Sequence, residues 1–334
     1  MDSAPFQHIT DQYANLRIAV VGDYSCDRYL EIDPDKKETS IETGLPVHNV
    51  TRVRAQPGAS GTVLNNLAAL GVGELWPVGF CGCDGEGYEL YRALEQTPGV
   101  RMKYFFESED QRTFTYCKPL LMHPGQPPEE LNRLDSKNWH PTPTTLQHQL
   151  ANAVRSLTKD VNAVIVLDQV DTPETGVVTR SMLEALDEVR DTCLIIGDSR
   201  RGLKDWPAII YKMNADELAQ LSVESNEPSI AASALARQTG QLVFVSLSEN
   251  GIVGADANGN VEQRPALPVS GEIDIVGAGD AVMANLTTAL AAGASTGQSL
   301  ELANAAASVV IHKLGTTGAA SLTEIKNLIT NQLN

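Results

Sequence analysis

The sequence predicts an α/β fold with a central, mostly parallel sheet, helices on both faces and a small β-strand lid. Three observations predict it. Short continuous apolar runs at 17–22, 75–80, 161–167, 194–196 and 242–247 have the character of strands buried on both faces. Segments with apolar residues at helical spacing fall between them. Two further stretches, 38–56 and 101–121, alternate in polarity as half-exposed antiparallel strands do. They flank one strand–helix–strand–helix block, which places the lid in two insertions, about 34–57 and 100–121.

Residues 1–15 read as a polar N-terminal extension and 16–334 as a single domain. The first strand stops at Gly22-Asp23. A helix over 62–70 stops at Gly71, the strand 75–80 follows, and then a helix over 88–94. The Pro- and Gly-rich segment 123–128 is a loop. Later helices are expected near 174–190, 215–222, 229–239, 280–292 and 299–313. Asp23, Asp168, Asp198 and Ser248 fall at strand ends, where sheets of this kind bind ligands.

Composition narrows the function. Of 334 residues, 42% are apolar, enough for a large core. Lys and Arg number 25 against 42 Asp and Glu, a net charge of −17, which disfavours nucleic acid and anionic membrane as partners. One local basic site remains compatible with a phosphorylated substrate. Five scattered cysteines, Cys26, Cys81, Cys83, Cys117 and Cys193, read as reduced thiols in a cytoplasmic protein. Neither they nor the six histidines show the spacing of a transition-metal site. The N-terminus lacks a signal-peptide pattern, and no apolar stretch is long enough to span a bilayer.

Four local patterns carry chemistry, and each has a plain structural alternative. Gly277-Ala278-Gly279-Asp280 precedes a helix. Its glycines let the backbone approach a ligand, and the N–H groups of a helix start form an anion hole. Asp280, kept ionised by the helix dipole, is placed to take a proton from an attacking hydroxyl; the alternative is a helix cap. Asn214-Ala215-Asp216-Glu217 is either a near capping box or a pair of ligands to a hydrated Mg²⁺. Gly22-Asp23 through Asp27 offers carboxylates to sugar hydroxyls, or is an ordinary turn. Pro57 to Gly61 is a substrate loop and hinge, or a turn. No Walker-type phosphate loop exists and no dinucleotide fingerprint follows the first strand, which sets aside a nicotinamide enzyme.

Taken in order, from about Arg17 to Leu328, these pieces resemble the ribokinase-like (PfkB) carbohydrate kinases. Asp274 to Asp280 is similar to the family's Asp-Thr-x-Gly-Ala-Gly-Asp, with Ile275 in place of Thr. Asn214 to Glu217 is similar to its Asn-x-x-Glu, and Ser246 to Gly251 to its nucleotide loop. Gly22-Asp23-x-x-x-Asp27-Arg28-Tyr29, Asn132 to Asp135 and Lys313 to Gly315 resemble the heptose 7-phosphate kinase branch. No His-x-Gly-His of the transferase module fused to some members is present. The resemblance implies a ribokinase-like three-layer sandwich and ATP-dependent phosphorylation of a sugar or sugar phosphate. Asp280 would be the base, and Gly277, Ala278 and Gly279 would hold the γ-phosphoryl group. Asn214 and Glu217 would organise Mg²⁺ through water, and backbone near Asp274 a monovalent cation such as K⁺. Ser246, Ser248, Gly251, Asn304 and Asn214 would line the nucleotide pocket. Asp27, with Asp23, Gly58, Ala59, Thr62, Lys118 and Arg133, would meet the sugar. The lid would pair two chains as a homodimer.

The departures lie on the substrate side. Ala59 stands where the family has a second glycine, Thr62 where it has Asn, and Asp198-Ser199-Arg200 where the heptose branch has Asp-Pro-Lys. Arg200, Arg201, Lys118 and Arg133 are the cations available to a phosphate already on the sugar. Ala59 and Thr62 also support a rival reading, a non-catalytic sugar or nucleotide sensor on the same fold. Retention of Asp280 with both glycines opposes it.

Overall fold

A computed structural model describes all residues except 222–224, 226, 316 and 332–334. In chain order its elements are α1 (Ser3–Thr10), β1 (Arg17–Gly22), β2 (Tyr24–Ile32), β3 (Glu38–Thr39), β4 (Pro46–Val47), β5 (Val50–Ala59), α2 (Ser60–Ala69), β6 (Glu74–Gly82), α3 (Gly85–Glu95), β7 (Phe105–Ser108), β8 (Phe114–Leu121), β9 (Glu129–Glu130) and β10 (Leu134–Ser136). There follow α4 (Thr144–Leu157), β11 (Ala163–Asp168), α5 (Arg180–Val189), β12 (Leu194–Ser199), β13 (Ile210–Asn214), α6 (Ala215–Leu221), α7 (Pro228–Thr239), β14 (Val243–Ser246), β15 (Ile252–Ala255), β16 (Val261–Arg264), α8 (Ala278–Ala291), α9 (Thr296–Ile311) and α10 (Leu322–Asn331).

Among the described residues, nine strands form the central sheet in the order β16-β15-β14-β13-β12-β11-β1-β6-β7. All pairs are parallel except those made by β15 and β16. In β1, Ile18 and Val20 pack into one hydrophobic layer with α2, α8 and α9, while Ala19 and Val21 pack into the other with α4, α5 and α7. Both layers exclude water, which is why the strand reads as an unbroken apolar run.

The lid is a second sheet, β10-β8-β2-β5, with β9 on its outer side. It differs from the expected pair of insertions. The chain does not turn into a loop after β1; it continues through Asp23 into β2, so Asp27 lies within a strand. The lid therefore starts ten residues before 34 and ends with β10, beyond 121. Within 100–121, β7 joins the central sheet, because Phe105 is buried against Tyr24 (ring centroids 5.1 Å apart). The N-terminal segment is also more than a polar extension: Phe6, Ile9 and Tyr13 are buried with Ile325 and Ile329. Helix α5 begins at Arg180 rather than near 174, since the preceding loop is tied to Asp23. The end expected for α6, residue 222, lies outside the described residues.

The lid is rooted in a tight crossing of strands. The Asp23 carboxylate accepts the N–H groups of Gln169 (2.8 Å) and Val177 (2.7 Å), and the Asp23 carbonyl accepts Ser60 N–H (2.9 Å). A Cβ on Gly58 would stand 2.1 Å from the Asp27 Oδ1. Ala59, next in line, holds φ 52° and ψ −121°, a region that side chains avoid at a cost of about 1–3 kcal/mol. Its neighbours are pinned on both sides, so it has no room to relax.

Gly58→Ala is expected to lower the unfolding free energy by about 1–3 kcal/mol in urea titration, from overpacking against Asp27. Gly85→Ala, where nothing lies within 4 Å of the added carbon, should cost far less. Equal losses would show that Asp27 does not impose the glycine.

Candidate active site

Helix α8 starts at Gly277, whose φ of 86° is a left-handed conformation that glycine adopts without strain. The turn points the helix N-terminus into the cleft under the lid. Among the described residues the N–H groups of Gly279 and Asp280 have no backbone acceptor, whereas that of Ala278 is turned back to the Ile275 carbonyl (3.2 Å). The anion cradle is thus made from Gly277, Gly279 and Asp280, and Ala278 contributes shape rather than a donor.

Asp280 is half-buried in the first turn of α8. The dipole was expected to keep it ionised. Instead burial pushes its pKa up to about 7, with Asp198 and Asp27 adding repulsion and the Lys212 ammonium pulling it down. Desolvation outweighs the helix end. The result is a carboxylate that gains and loses its proton near neutral pH, which suits a general base.

Lys212 is the residue that sequence reasoning missed. It is only 8% exposed on β13, and its ammonium pairs with the Asp198 carboxylate. A Cβ on Gly279 would lie 3.6 Å from its Nζ, so the cation sits directly beneath the cradle. Asp280 and Glu217 both act on it electrostatically, and the three carboxylates together hold it charged against the opposing effect of burial. The signal was a lysine inside the apolar run 209–213, a strand that was not recognised; a charge in such a run has to be paired.

Asn214 and Glu217 form the reciprocal cap of α6: Asn214 N–H donates to Glu217 Oε2, and Glu217 N–H to Asn214 Oδ1, both at 2.8 Å. The structural alternative is therefore realised. Among the described residues the second oxygen of Glu217 has no hydrogen-bond partner, and burial and the nearby Asp198 raise its pKa. Glu217, with the Asp198 carboxylate nearby and the cradle beside them, would suit a hydrated divalent cation. Among the described residues no cluster of three side-chain ligands exists, so that ion would be held largely through water and phosphate.

A cavity of about 560 Å³ beyond α6 is lined by Asn214, Ser246, Ser248 and Asn250. Gly251 has φ 89°, and any side chain there would strike the Arg264 carbonyl, so the turn that shapes this cavity requires glycine. Asn304 does not line it. Its amide donates to the carbonyls of Arg264 (3.0 Å) and Pro265 (3.1 Å), bracing the chain behind the loop.

On the lid side, Asp27 is buried, accepts the Ser25 hydroxyl (3.0 Å) and faces Asp280 electrostatically. The other residues expected there separate into two groups. Asp23 is engaged by two backbone amides and Thr62 is enclosed within α2, so neither presents a free side chain. Arg133 is locked bidentate on Asp135 (2.8 Å twice), Arg201 on buried Asp168 (2.8 Å), and Arg200 reaches Asp171 (3.8 Å). Among the described residues Lys118 makes no ion pair, though its charge draws down the pKa of Asp27. The lysine lies 5.2 Å above the Tyr29 ring, in a cleft of about 550 Å³ shared with Arg54, Asp274 and Thr317. Gln56 of the lid donates to Thr317 (2.7 Å), closing the lid onto the body.

Asp280, Lys212, Asp198, Glu217 and Asp27 thus act on one another electrostatically, while Asn214 with the serines and Lys118 with Asp274 line separate cavities. The profile of pfkB family carbohydrate kinases matches residues 16–323. The chain belongs to this family. It is 28% identical over 335 residues to the bifunctional protein HldE of Hyphomonas neptunium, and covers 97% of itself but 65% of that protein. The chain therefore spans less than two thirds of that relative. Its fold is that of Escherichia coli phosphofructokinase-2 in complex with fructose-6-phosphate (TM-score 0.68, 18% identity, 96% and 100% coverage). The ribokinase of Arabidopsis thaliana complexed with ribose and ATP is similar too (TM-score 0.66, 20% identity, 94% and 98% coverage). The ribokinase-like fold expected from the motifs is the one observed.

Replacing Lys212 by Met leaves Asp198 without its partner and removes the cation that lowers the Asp280 pKa. The acid limb of the kinase's pH–rate profile should move to higher pH, with kcat down about 10²-fold. Lys212→Arg should retain the position of the limb. An unmoved limb in the Met variant would separate Lys212 from Asp280.

Proposed function

We propose that this carbohydrate kinase moves the γ-phosphoryl group of ATP to a hydroxyl of a sugar phosphate, with Asp280 as the base. The observation that carries this reading is Asp280 itself: a carboxylate with a pKa of about 7, beside free N–H donors and facing Asp27 across the cleft. A sugar hydroxyl held by Asp27 would lie between the two carboxylates. Asp280 takes its proton as the oxygen attacks, and the N–H groups of Gly279 and Asp280 with Lys212 hold the transferred group in line. Mg²⁺, organised through water by Glu217, Asp198 and Asn214, would neutralise the phosphate oxygens. Ser246 and Ser248 would flank the nucleotide. A carboxylate, N–H donors and a buried lysine at one helix start support turnover rather than a sensor.

The phosphorylated acceptor is supported by Lys118, a cation that makes no ion pair among the described residues. The relative named HldE and the sequence resemblance favour a heptose phosphate. Asp274, with one oxygen engaged by Val276 N–H (3.0 Å), has a second to offer near a monovalent cation such as K⁺. The exposed apolar residues of the lid, Val50, Val53 and Leu134, support pairing of two chains through it. All five cysteines are free, in keeping with a reducing, cytoplasmic setting. Among the described residues no helix is long and apolar enough to cross a membrane.

Coupled detection of ADP with pentose, hexose and heptose phosphates tests the reaction. Below pH 7, kcat/KM should rise with pH and then level as Asp280 ionises. Asp280→Asn should retain ATP binding and lose about 10²–10⁴-fold in rate. The raised pKa also sets a sign for stability: the contribution of Asp280 is fully present below the ordinary carboxylate range and lost as pH rises through 7. The Asn variant should therefore melt higher than the wild type at pH 8 and not at pH 4. A variant with normal turnover overturns the base assignment.

Lys118→Ala should raise KM for a phosphorylated acceptor by about 10–100-fold, the worth of a hydrogen bond to a charged group, with little effect on the sugar lacking phosphate. Equal losses for both would remove Lys118 from phosphate recognition.

A further inference from the structure

A further cavity, of about 100 Å³, opens at the root of the lid and is joined to Asp27 through Ser25. Ser25, whose hydroxyl donates to Asp27, lines it together with Ala59, Tyr116, Trp139, Gln169 and Asp171. This mixture of aromatic faces and polar groups suits a sugar, and the space is small. Ala59 is the one wall residue held at strongly unfavourable dihedrals, φ 52° and ψ −121°. Glycine would adopt them freely. The conformation is enforced by the register of β5 on β2, Ser25 opposite Gly58 and Tyr24 opposite Ala59, and by the bond from Ser60 to Asp23. A strained residue survives where its surroundings determine it, and such residues concentrate at ligand clamps.

We propose that Ala59 is a specificity-determining residue, its methyl limiting the size of the acceptor that can seat against Asp27 at the root of the lid. The acceptor class is a sugar phosphate whose portion next to Ser25 and Trp139 is compact. An acceptor with one more carbon there would meet the methyl, and because Gly58, Ala59 and Ser60 are pinned the wall does not yield. Removing the methyl opens room for about one water molecule and frees the backbone of its strain. One methylene in a close-fitting pocket changes discrimination by about 10–200-fold. The inference rests on the kinase reading for the class of acceptor.

The test is calorimetric binding of ribose 5-phosphate, fructose 6-phosphate and a heptose 7-phosphate, with a non-hydrolysable ATP analogue and Mg²⁺ present. It uses the full chain and its Ala59→Gly and Ala59→Ser variants. The Gly variant should melt several degrees higher and should gain at least 10-fold for the largest acceptor it binds relative to the smallest. The Ser variant, which keeps the bulk, should retain the wild-type ratio. If the ratio in the Gly variant stays within twofold of wild type, the proposal is wrong, whatever happens to the melting temperature. Binding of none of the three to either protein overturns it as well, as does binding of the smallest alone to the Gly variant, whereas binding of the heptose 7-phosphate to the Gly variant alone supports it. Binding in this test, together with no ADP formation when ATP replaces the analogue, would defeat the kinase reading and leave the ratio to decide the role of Ala59.

Discussion

The rest of the site depends on a buried lysine ringed by carboxylates beneath the start of a helix. Lys212 has little access to water, which by itself would favour its neutral form, yet Asp198, Asp280 and Glu217 keep it charged. The exchange works in both directions. The ammonium restrains the proton affinity of Asp280, which burial and the carboxylates of Asp198 and Asp27 drive upward. One positive charge against three potential negative ones is a balance that tips near neutral pH. With Asp280 protonated, a polyanion can approach the cradle without a carboxylate repelling it at the mouth. Once that proton is lost to solvent, the ionised carboxylate would be able to accept one from a seated hydroxyl, as the proposed function requires.

That balance explains why the helix dipole did not decide the state of Asp280. A dipole end is worth a fraction of a charge and fades within a turn. Removal from water acts on the whole charge. The dipole does act on the backbone: the N–H groups it gathers at Gly279 and Asp280 would be donors to a transferring phosphoryl group under the proposed function. Gly277 makes this geometry available by turning the chain through a left-handed conformation.

What was legible in the sequence follows the range of each interaction. Strands β1, β6, β11 and β14 were visible because burial on both faces leaves an apolar run, and the turn before α8 because glycines and a first-turn aspartate mark it. Strand β2 was hidden, since its Asp27 and Arg28 are polar yet buried under the lid or paired, Arg28 with Glu86 and Glu89. Strand β13 was hidden by Lys212, and α4, an amphipathic helix of 14 residues, was missed outright. Asn214 and Glu217 were found, but their spacing could not distinguish a cap from a metal site, because one geometry serves both. The fates of Asp23, Arg133, Arg201 and Asn304 are set by partners such as Val177, Asp168 and Pro265. Only Asp135 lies within reach of a local pattern.

The lid root shows how distant parts of the sequence come to act on the same chemistry. Asp23 lies between the strand that anchors the central sheet and the strand that carries Asp27. Burial and Asp168 raise its pKa, yet two amides of the loop after β11 hold its carboxylate in place. The same residue fixes Ser60 through its carbonyl, and so fixes Ala59 and Gly58 beside Asp27. A lid that hinged freely here would let Asp27 drift from Asp280, and under the proposed function a hydroxyl between them would lose its alignment. The strain stored at Ala59 is the consequence of choosing rigidity: the crossing is held so firmly that a residue with a side chain is kept where glycine would rest.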